Sequence, residues 1–185
     1  MRIFVDADAF PNVIRDVLIR ASARLKVPLC FVANKALRGK ESVNISFIQV
    51  SAGADVADDR IAGLAQAGDL VITADIPLAD RVIAKGAFAL DPRGKLYTQD
   101  NIKDSLAMRD LCKELRDLGM IGGGPATYGK TERQAFANHL DRLLTMQLKA
   151  ELGVHKAELN VHKAKLGVHK SEKAGLQIKG KPEMR

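Results

Sequence analysis

Short apolar runs alternate with helix-like segments along most of the chain. The apolar run RIFV at 2–5 is followed by Pro11 and by VIRDVLIRASARL, whose apolar residues recur at helical spacing. Further runs of strand length lie at 28–33, 44–50, 69–75 and 87–91, and helical patterns lie at 56–68, 77–86 and 102–119. Strands that alternate with helices are typical of a parallel sheet covered on both faces. The pattern predicts an α/β protein with three layers, α/β/α, around a mostly parallel sheet of about five strands.

A Gly-rich loop at 122–130 precedes a last helical pattern. The sequence TERQ has the form of a capping box, with Thr131 as the N-cap and Gln134 at the third helical position. The apolar residues that follow recur on one helical face and predict a buried stripe: Phe136, Leu140, Leu143 and Leu144.

The C-terminal part of the chain is repetitive. ELGVHKA, ELNVHKA and KLGVHKS follow one another from Glu151 to Ser171. Their apolar positions lie two and five residues apart, whereas a coiled coil needs alternating spacings of three and four. Glycines in the repeat also weaken a helix. We therefore predict an α/β domain over 1–148 and a basic tail over 149–185 that is mobile or loosely helical.

Composition narrows the class of protein. With 185 residues, 46% of them hydrophobic, the chain can bury one core. Its formal net charge of +7 permits a phosphate-rich partner such as nucleic acid. No apolar stretch has the ~20 residues of a membrane span, no signal peptide is evident, and the two cysteines are far apart. We expect a cytoplasmic protein with no membrane attachment; the sequence leaves the oligomeric state open, a homodimer included.

Aspartates stand where predicted strands end. Asp6 closes the first apolar run, with Asp8 two residues on, and Asp75 closes the fourth, with Asp80 in the turn behind it. In a parallel sheet, ligands bind in the crevice beyond the carboxyl ends of the strands. The sequence therefore predicts that these acids meet at one edge of the sheet.

A second group of acids surrounds the start of the helix after the third strand. Asp55 precedes that helix, and Asp58 and Asp59 lie one turn on. Asp55 and Asp59 are four residues apart and would share a helical face if the helix begins early. Each of these acids also has a local explanation, because aspartate near a helix N-terminus caps free N–H groups.

Crowded carboxylates raise one another's pKa and destabilise a fold unless a cation neutralises them. An all-oxygen donor set without clustered His or Cys favours Mg²⁺ or Mn²⁺ over zinc. Residues 1–138 contain no histidine, so His-based catalysis has little support. The acids therefore predict a magnesium or manganese site at the edge of the sheet.

Five segments, in this order, resemble the YaiI/YqxD family of bacterial proteins: FVDADAFP, GADVADDRIAG, DLVITADIPLAD, LDPRGKLYT and GGGP…ERQAFANHLDRLL. The resemblance covers about residues 1–148. That family is similar to the PIN-like fold, whose nucleases cleave RNA with Mg²⁺ or Mn²⁺ held by acids at strand ends. The chain departs from the family at Phe10 and Asn12, where Cys and Val are usual.

The resemblance implies roles for individual residues. It identifies Asp6 and Asp75 as strand-end acids, Asp80 as a second acid after the fourth strand, and Asp55 with Asp59 as a helical pair. On this interpretation Asp6, Asp59 and Asp75 hold one or two ions, and Asp8, Asp55 and Asp80 are outer ligands or ligands of the second ion. The expected activity is metal-dependent hydrolysis of phosphodiester bonds, with RNA the favoured substrate.

Basic and aromatic residues are candidates for contacts with that substrate. Tyr128 could stack on a base, and Lys130 and Arg133 flank the start of the last helix. The other basic candidates are Arg15, Lys35, Arg38 and Lys40.

Two other functions stay open. DxD after a first strand also opens the phosphatase fold that forms an aspartyl-phosphate, with Thr73 as its second-strand hydroxyl, although no late acidic pair follows. A module that binds nucleic acid or protein without catalysis would equally suit the basic tail.

Overall fold

The computed structural model describes residues 1–8, 10–36, 41–122 and 127–175, with side chains except at 151 and 154–175. Its strands are β1 Ile3–Asp6, β2 Leu29–Ala33, β3 Ile45–Gln49, β4 Leu70–Ile72, β5 Phe88–Leu90 and β6 Leu96–Tyr97. Its helices are α1 Asn12–Leu25, α2 Val56–Leu64, α3 Ile76–Ile83, α4 Ile102–Asp117 and α5 Lys130–Gly175.

The strands form one sheet in the order β3-β2-β1-β4-β5-β6. All neighbouring pairs are parallel except β5 and β6, which form a hairpin. From β1 the chain adds strands on one side as far as β3, and it then crosses to the other side of β1 to form β4. The strand order therefore reverses between β1 and β4, which is where open α/β sheets bind ligands at their carboxyl edge.

Side chains alternate between the two faces of the sheet, and both faces are buried along the central strands β1, β2 and β4. Phe4, Val32, Val71 and Ala89 pack in one core with residues of α2, α3 and α4. The alternate strand residues, among them Ile3 and Leu70, are also fully buried and point to the opposite face. The predicted three-layer α/β/α architecture is confirmed, with six strands rather than about five, because LY at 96–97 pairs with β5.

Two helix boundaries differ from the predictions. α2 was expected to reach Gly68 but ends at Leu64, since Ala65 is extended and buried. The N–H of Gln66 is instead accepted by the carboxylate of Asp69, so a turn replaces the last helical turn.

α5 begins at Lys130, and the N–H of Gly129 donates to the carboxylate of Glu132 at 2.9 Å. The prediction of Thr131 as N-cap with Gln134 at the third position is wrong, because Glu132 occupies that position and completes the backbone half of the capping box. The predicted buried stripe of this helix is confirmed, since all four of its apolar residues are buried.

The chain divides into two units, the first over residues 1–144 and the second beginning at Thr145. In the second unit the helical backbone of α5 continues through the seven-residue repeats to Gly175. The rest of the predicted tail, 176–185, lies outside the described residues. No helix of the described chain has the length and apolarity needed to span a membrane.

Candidate active site at the carboxyl edge of the sheet

A pocket of about 400 Å³ opens at the carboxyl edge of the sheet, where the strand order reverses between β1 and β4. We call it the carboxylate pocket. Five aspartates and one asparagine contribute its polar lining: Asp6, Asp8, Asn34, Asp55, Asp58 and Asp75. The predicted convergence of acids at this edge is therefore present for Asp6, Asp8, Asp55 and Asp75.

Asp6 ends β1 and is tied to the neighbouring strand end. Its Oδ2 accepts a hydrogen bond from the hydroxyl of Thr73 at 3.0 Å. Thr73 follows β4, is fully buried, and in turn accepts the N–H of Asp75 at 2.9 Å. Burial raises the pKa of the Asp6 carboxyl; the bond from Thr73 lowers it, and the charges of Asp8 and Asp75 raise it further. Asp6 is thus held in place beside other negative charges.

Asp75 and Asp8 also make hydrogen bonds that position loops. Asp75 is the N-cap of α3, and its Oδ1 accepts the N–H of Leu78 at 2.7 Å. Both carboxylate oxygens of Asp8 lie 3.0 Å from the N–H of Asn34, just after β2. Asp75 thus caps α3, a structural role that was not predicted for it, while Asp8 joins the loop after β1 to the loop after β2.

Asp58 is the acid that sequence reasoning left out of the site. It is the third residue of α2, and its side chain makes no hydrogen bond or ion pair within the described part of the chain. Burial, followed by the charges of Asp6, Asp75 and Asp55 and partly offset by Arg81, raises the pKa of the Asp58 carboxyl to about 6. The available signal was its position one turn after Asp55. Asp58 is therefore a pocket carboxylate whose ionised form is disfavoured first by burial and then by the neighbouring charges.

Asp59 and Asp80 do not lie in the carboxylate pocket. Asp59 pairs with Arg81 at 2.7 Å and Asp80 with Lys103 at 3.2 Å, and both acids line a separate groove along α2 and α3. Asp55 precedes α2 in the left-handed conformation, with φ 60°, and its side chain makes no capping bond. Because the helix begins only at Val56, Asp55 and Asp59 do not share a helical face.

One polar atom in the pocket wall lacks a partner. The amide Nδ2 of Asn34 lies 3.5 Å from the carbonyl oxygen of Gly53. Its Oδ1 is buried and accepts no hydrogen bond from any described residue. Buried polar atoms normally have a partner, so an unpaired acceptor in a pocket wall indicates a site for a donor or a cation.

The donor chemistry of the carboxylate pocket fits a hard divalent cation, since it offers carboxylate and amide oxygens only. No three Asp, Glu, His or Cys side chains in the described ranges lie close enough together to form a ready-made metal group. Mg²⁺ does not require one, because it is usually held by one or two carboxylates, waters and substrate phosphate. One or two of the pocket carboxylates Asp6, Asp58 and Asp75 would contact the ion directly, and the others would reach it through water.

Sequence reasoning also missed Asp91. This residue directly follows β5, and its carboxylate accepts the N–H of Arg93 and the hydroxyl of Tyr97. Burial raises the pKa of the Asp91 carboxyl. The signal was present, because ALD at 89–91 ends an apolar strand on an aspartate as FVD at 4–6 does.

The residues predicted to contact substrate lie in different parts of the structure, and two of them lie outside the described residues. Tyr128 donates to the carbonyl oxygen of Pro92 at 3.2 Å, and Lys130 and Arg133 are exposed at the start of α5. The guanidinium of Arg15 lies over the rings of Phe31 and Phe47, and Lys35 is exposed after β2. Arg38 and Lys40 lie outside the described residues.

Residues 4–146 match the family model described as "Uncharacterized BCR, YaiI/YqxD family". A UPF0178 protein of Citrifermentans bemidjiense is 55% identical over 149 residues, which cover 80% of this chain and 97% of the relative. A UPF0178 protein of Shewanella loihica is 55% identical over 145 residues, or 78% of this chain and 97% of the relative. No solved structure matches the chain significantly. With more than half of its length matched by the family model, the chain belongs to the YaiI/YqxD family.

Proposed function

We propose that the protein is a Mg²⁺- or Mn²⁺-dependent phosphodiesterase that acts on nucleic acid, RNA in first place. The observation that carries the proposal is the unrelieved negative charge of the carboxylate pocket. The side chain of Asp58 makes no ion pair or hydrogen bond within the described residues, and burial together with the charges of Asp6, Asp75 and Asp55 raises its pKa to about 6. A divalent cation would relieve this repulsion, because it favours the ionised form of each carboxylate.

The residues of the pocket divide the work. One or two of Asp6, Asp58 and Asp75 would contact the cation directly and the others through water, and the cation would neutralise phosphoryl charge and activate water. Thr73 keeps Asp6 oriented, and the N–H of Leu78 keeps Asp75 oriented. Asp8 and Asp55 extend the negative lining toward solvent, since both are exposed.

Two further features support a nucleic-acid substrate. The chain carries a net charge of +7 although the pocket itself is acidic, so the basic surplus lies on other surfaces. The resemblance to PIN-like nucleases, which place metal-binding acids at strand ends, agrees with the position of Asp6 and Asp75. Basic side chains on those surfaces would bind the phosphates of a nucleic acid and bring one phosphodiester close to a metal ion in the pocket.

The proposal is tested by incubating a pool of labelled RNA and single-stranded DNA with the full chain and Mn²⁺. Asp6→Asn, Asp58→Asn and Asp75→Asn should each abolish cleavage, and all three retain similar side-chain volume. Asp59→Asn and Asp80→Asn are matched controls, since they remove the same charge outside the pocket. Cleavage that survives the three pocket variants, or that the two controls also remove, would exclude this site.

A second candidate is a binding module without catalysis. It is favoured by the structural hydrogen bonds that Asp6, Asp8 and Asp75 already make. Tight binding of nucleic acid without cleavage under any metal would support it. The aspartyl-phosphate alternative has less support, because the hydroxyl of Thr73 is buried and engaged with Asp6 and the N–H of Asp75.

A further inference from the structure

The turn between β5 and β6 is pressed against the start of α5. Gly94 in this turn has φ +92°, and a Cβ built on it would lie 2.7 Å from the backbone nitrogen of Phe136. The Nδ1 of His139 lies 2.6 Å from the carbonyl oxygen of Gly94. Asp91 closes the turn from within, since its carbonyl accepts the N–H of Gly94 and its carboxylate that of Arg93. The backbone of residues 91–95 is therefore held from both sides.

This packing holds an arginine against a tyrosine. The guanidinium of Arg93 lies 5.9 Å from the ring centroid of Tyr128, which is within the range of a cation–π contact. The hydroxyl of Tyr128 donates to the carbonyl oxygen of Pro92, so the ring is fixed at two points. Both side chains are partly exposed. We call this pair the Arg93–Tyr128 platform.

The platform lies on the same edge of the sheet as the carboxylate pocket. The N–H of Thr73, just after β4, donates to the carbonyl oxygen of Leu90 at the end of β5. Neighbouring strands are about 5 Å apart, so Asp91 stands one strand beyond the acids that follow β4. Burial raises the pKa of the Tyr97 hydroxyl, and the charges of Asp91 and Asp75 raise it further, which is consistent with that proximity.

We infer that the Arg93–Tyr128 platform binds a nucleotide of single-stranded nucleic acid, stacking an unpaired base beside the carboxylate pocket. The inference rests on the proposed function for the identity of the ligand. A fixed aromatic ring with a guanidinium on its face offers both a stacking surface and a cation for the adjoining phosphate.

The same chemistry selects single strands over duplexes. A base can stack on a side chain only when its face is free, and the bases of a duplex are already stacked on one another. Lys130 and Arg133 follow Tyr128 within the next five residues and are exposed, so further phosphates of the strand have cations at hand. Asp91 is a positioning residue, because its carboxylate holds the backbone N–H of Arg93 in place and does not itself contact the ligand.

The inference is tested by fluorescence anisotropy with a short labelled single-stranded RNA and the full chain in EDTA, where no cleavage interferes. Arg93→Gln and Tyr128→Leu should each weaken binding by about 10-fold. Arg93→Gln should also reduce the slope of log K against log salt by about 0.7, the share of one phosphate contact. Tyr128→Phe keeps the ring and should retain most of the affinity, whereas Arg93→Lys keeps the charge but loses the planar stack.

Arg24→Gln is the matched charge control. Arg24 lies near the end of α1, which begins at the carboxyl edge and runs back toward the opposite edge, and it pairs with Asp141. The affinity of Arg24→Gln for the single-stranded RNA should equal that of the wild type. Single-stranded DNA of the same sequence should depend on Arg93 and Tyr128 as RNA does, and a duplex should bind more weakly.

Unchanged affinity in Arg93→Gln and Tyr128→Leu, or an equal loss in Arg24→Gln, would overturn the inference, as would a duplex that binds as tightly as the single strand. Failure of the platform and failure of the nuclease proposal are separable. Binding that depends on Arg93 and Tyr128 in a protein without metal-dependent cleavage supports the platform and refutes the nuclease. Cleavage that persists in Arg93→Gln with unchanged KM refutes the platform alone.

Discussion

Removing the charge of Asp58 should stabilise the metal-free protein. The folded pKa of this carboxyl is about 6, against 3.8 for an ordinary aspartate, so its ionised form is disfavoured in the native state. At 1.36 kcal/mol per pKa unit the shift corresponds to about 3 kcal/mol. Asp58 is only partly buried, and solvent screening and the helix N-terminus reduce this to about 1 kcal/mol. For a chain of this size Asp58→Asn should raise Tm by about 2–4 °C.

The pH dependence gives the sign of the effect. Between the unfolded and folded pKa values the native state binds more protons, so stability falls as pH rises from 3.8 through about 6. The advantage of Asp58→Asn over the wild type should be absent below the unfolded pKa, about half developed near pH 5 and complete above pH ~7.

Urea denaturation in EDTA at pH 5 and pH 8 measures this difference. Asp59→Asn is the control on the same helix; it removes an exposed ion pair with Arg81 and should lose at most ~1 kcal/mol rather than gain stability. An Asp58→Asn variant whose free energy of unfolding is no higher than that of the wild type at pH 8, or is higher by the same amount at both pH values, would contradict this reasoning. The ionised Asp58 carboxylate would then not destabilise the native state.

Mn²⁺ at about ten times its Kd should raise the unfolding free energy of the wild type by about 1.4 kcal/mol in thermal or urea melts, and Asp6→Asn should not respond; an equal response in both would place the ion elsewhere. Gly94→Ala should lower the free energy of unfolding in urea by about 3 kcal/mol, because the strain of a left-handed φ and a clash with the backbone of α5 add. Gly119→Ala, which has a φ of +69° but open space around the new Cβ, should lower it by only about 1 kcal/mol. Asp69→Ala should lower the free energy of unfolding by about 3 kcal/mol in the same measurement, since the buried carboxylate accepts both the side chain and the backbone N–H of Arg2. Asp141→Ala, which breaks an exposed ion pair with Arg24, should lower it by less than ~1 kcal/mol. Similar losses in both variants would contradict this account.

Local patterns in the sequence determined the layered fold and four of the five pocket acids, Asp6, Asp8, Asp55 and Asp75. The length and apolarity of 2–5, 28–33 and 69–75 suffice to predict buried strands, because both faces of a parallel sheet are covered. Asp6 and Asp75 could be predicted for the pocket because each directly follows such a run, and all parallel strands end at the same edge. These inferences need only the spacing of apolar residues along the chain and the direction of the strands.

The tertiary structure decided which other side chains join them. Consecutive residues on a helix point about 100° apart, so the choice between Asp58 and Asp59 depends on the residue at which α2 begins and on the angle at which it packs. That angle comes from contacts distant in sequence, such as those of Ala57 and Ile61 with the sheet. The placement of Tyr128 against Arg93 likewise depends on the fit of Gly94 against α5, more than forty residues along the chain. Periodicity is a local property, whereas the rotation and docking of an element are set by the surface on which it packs.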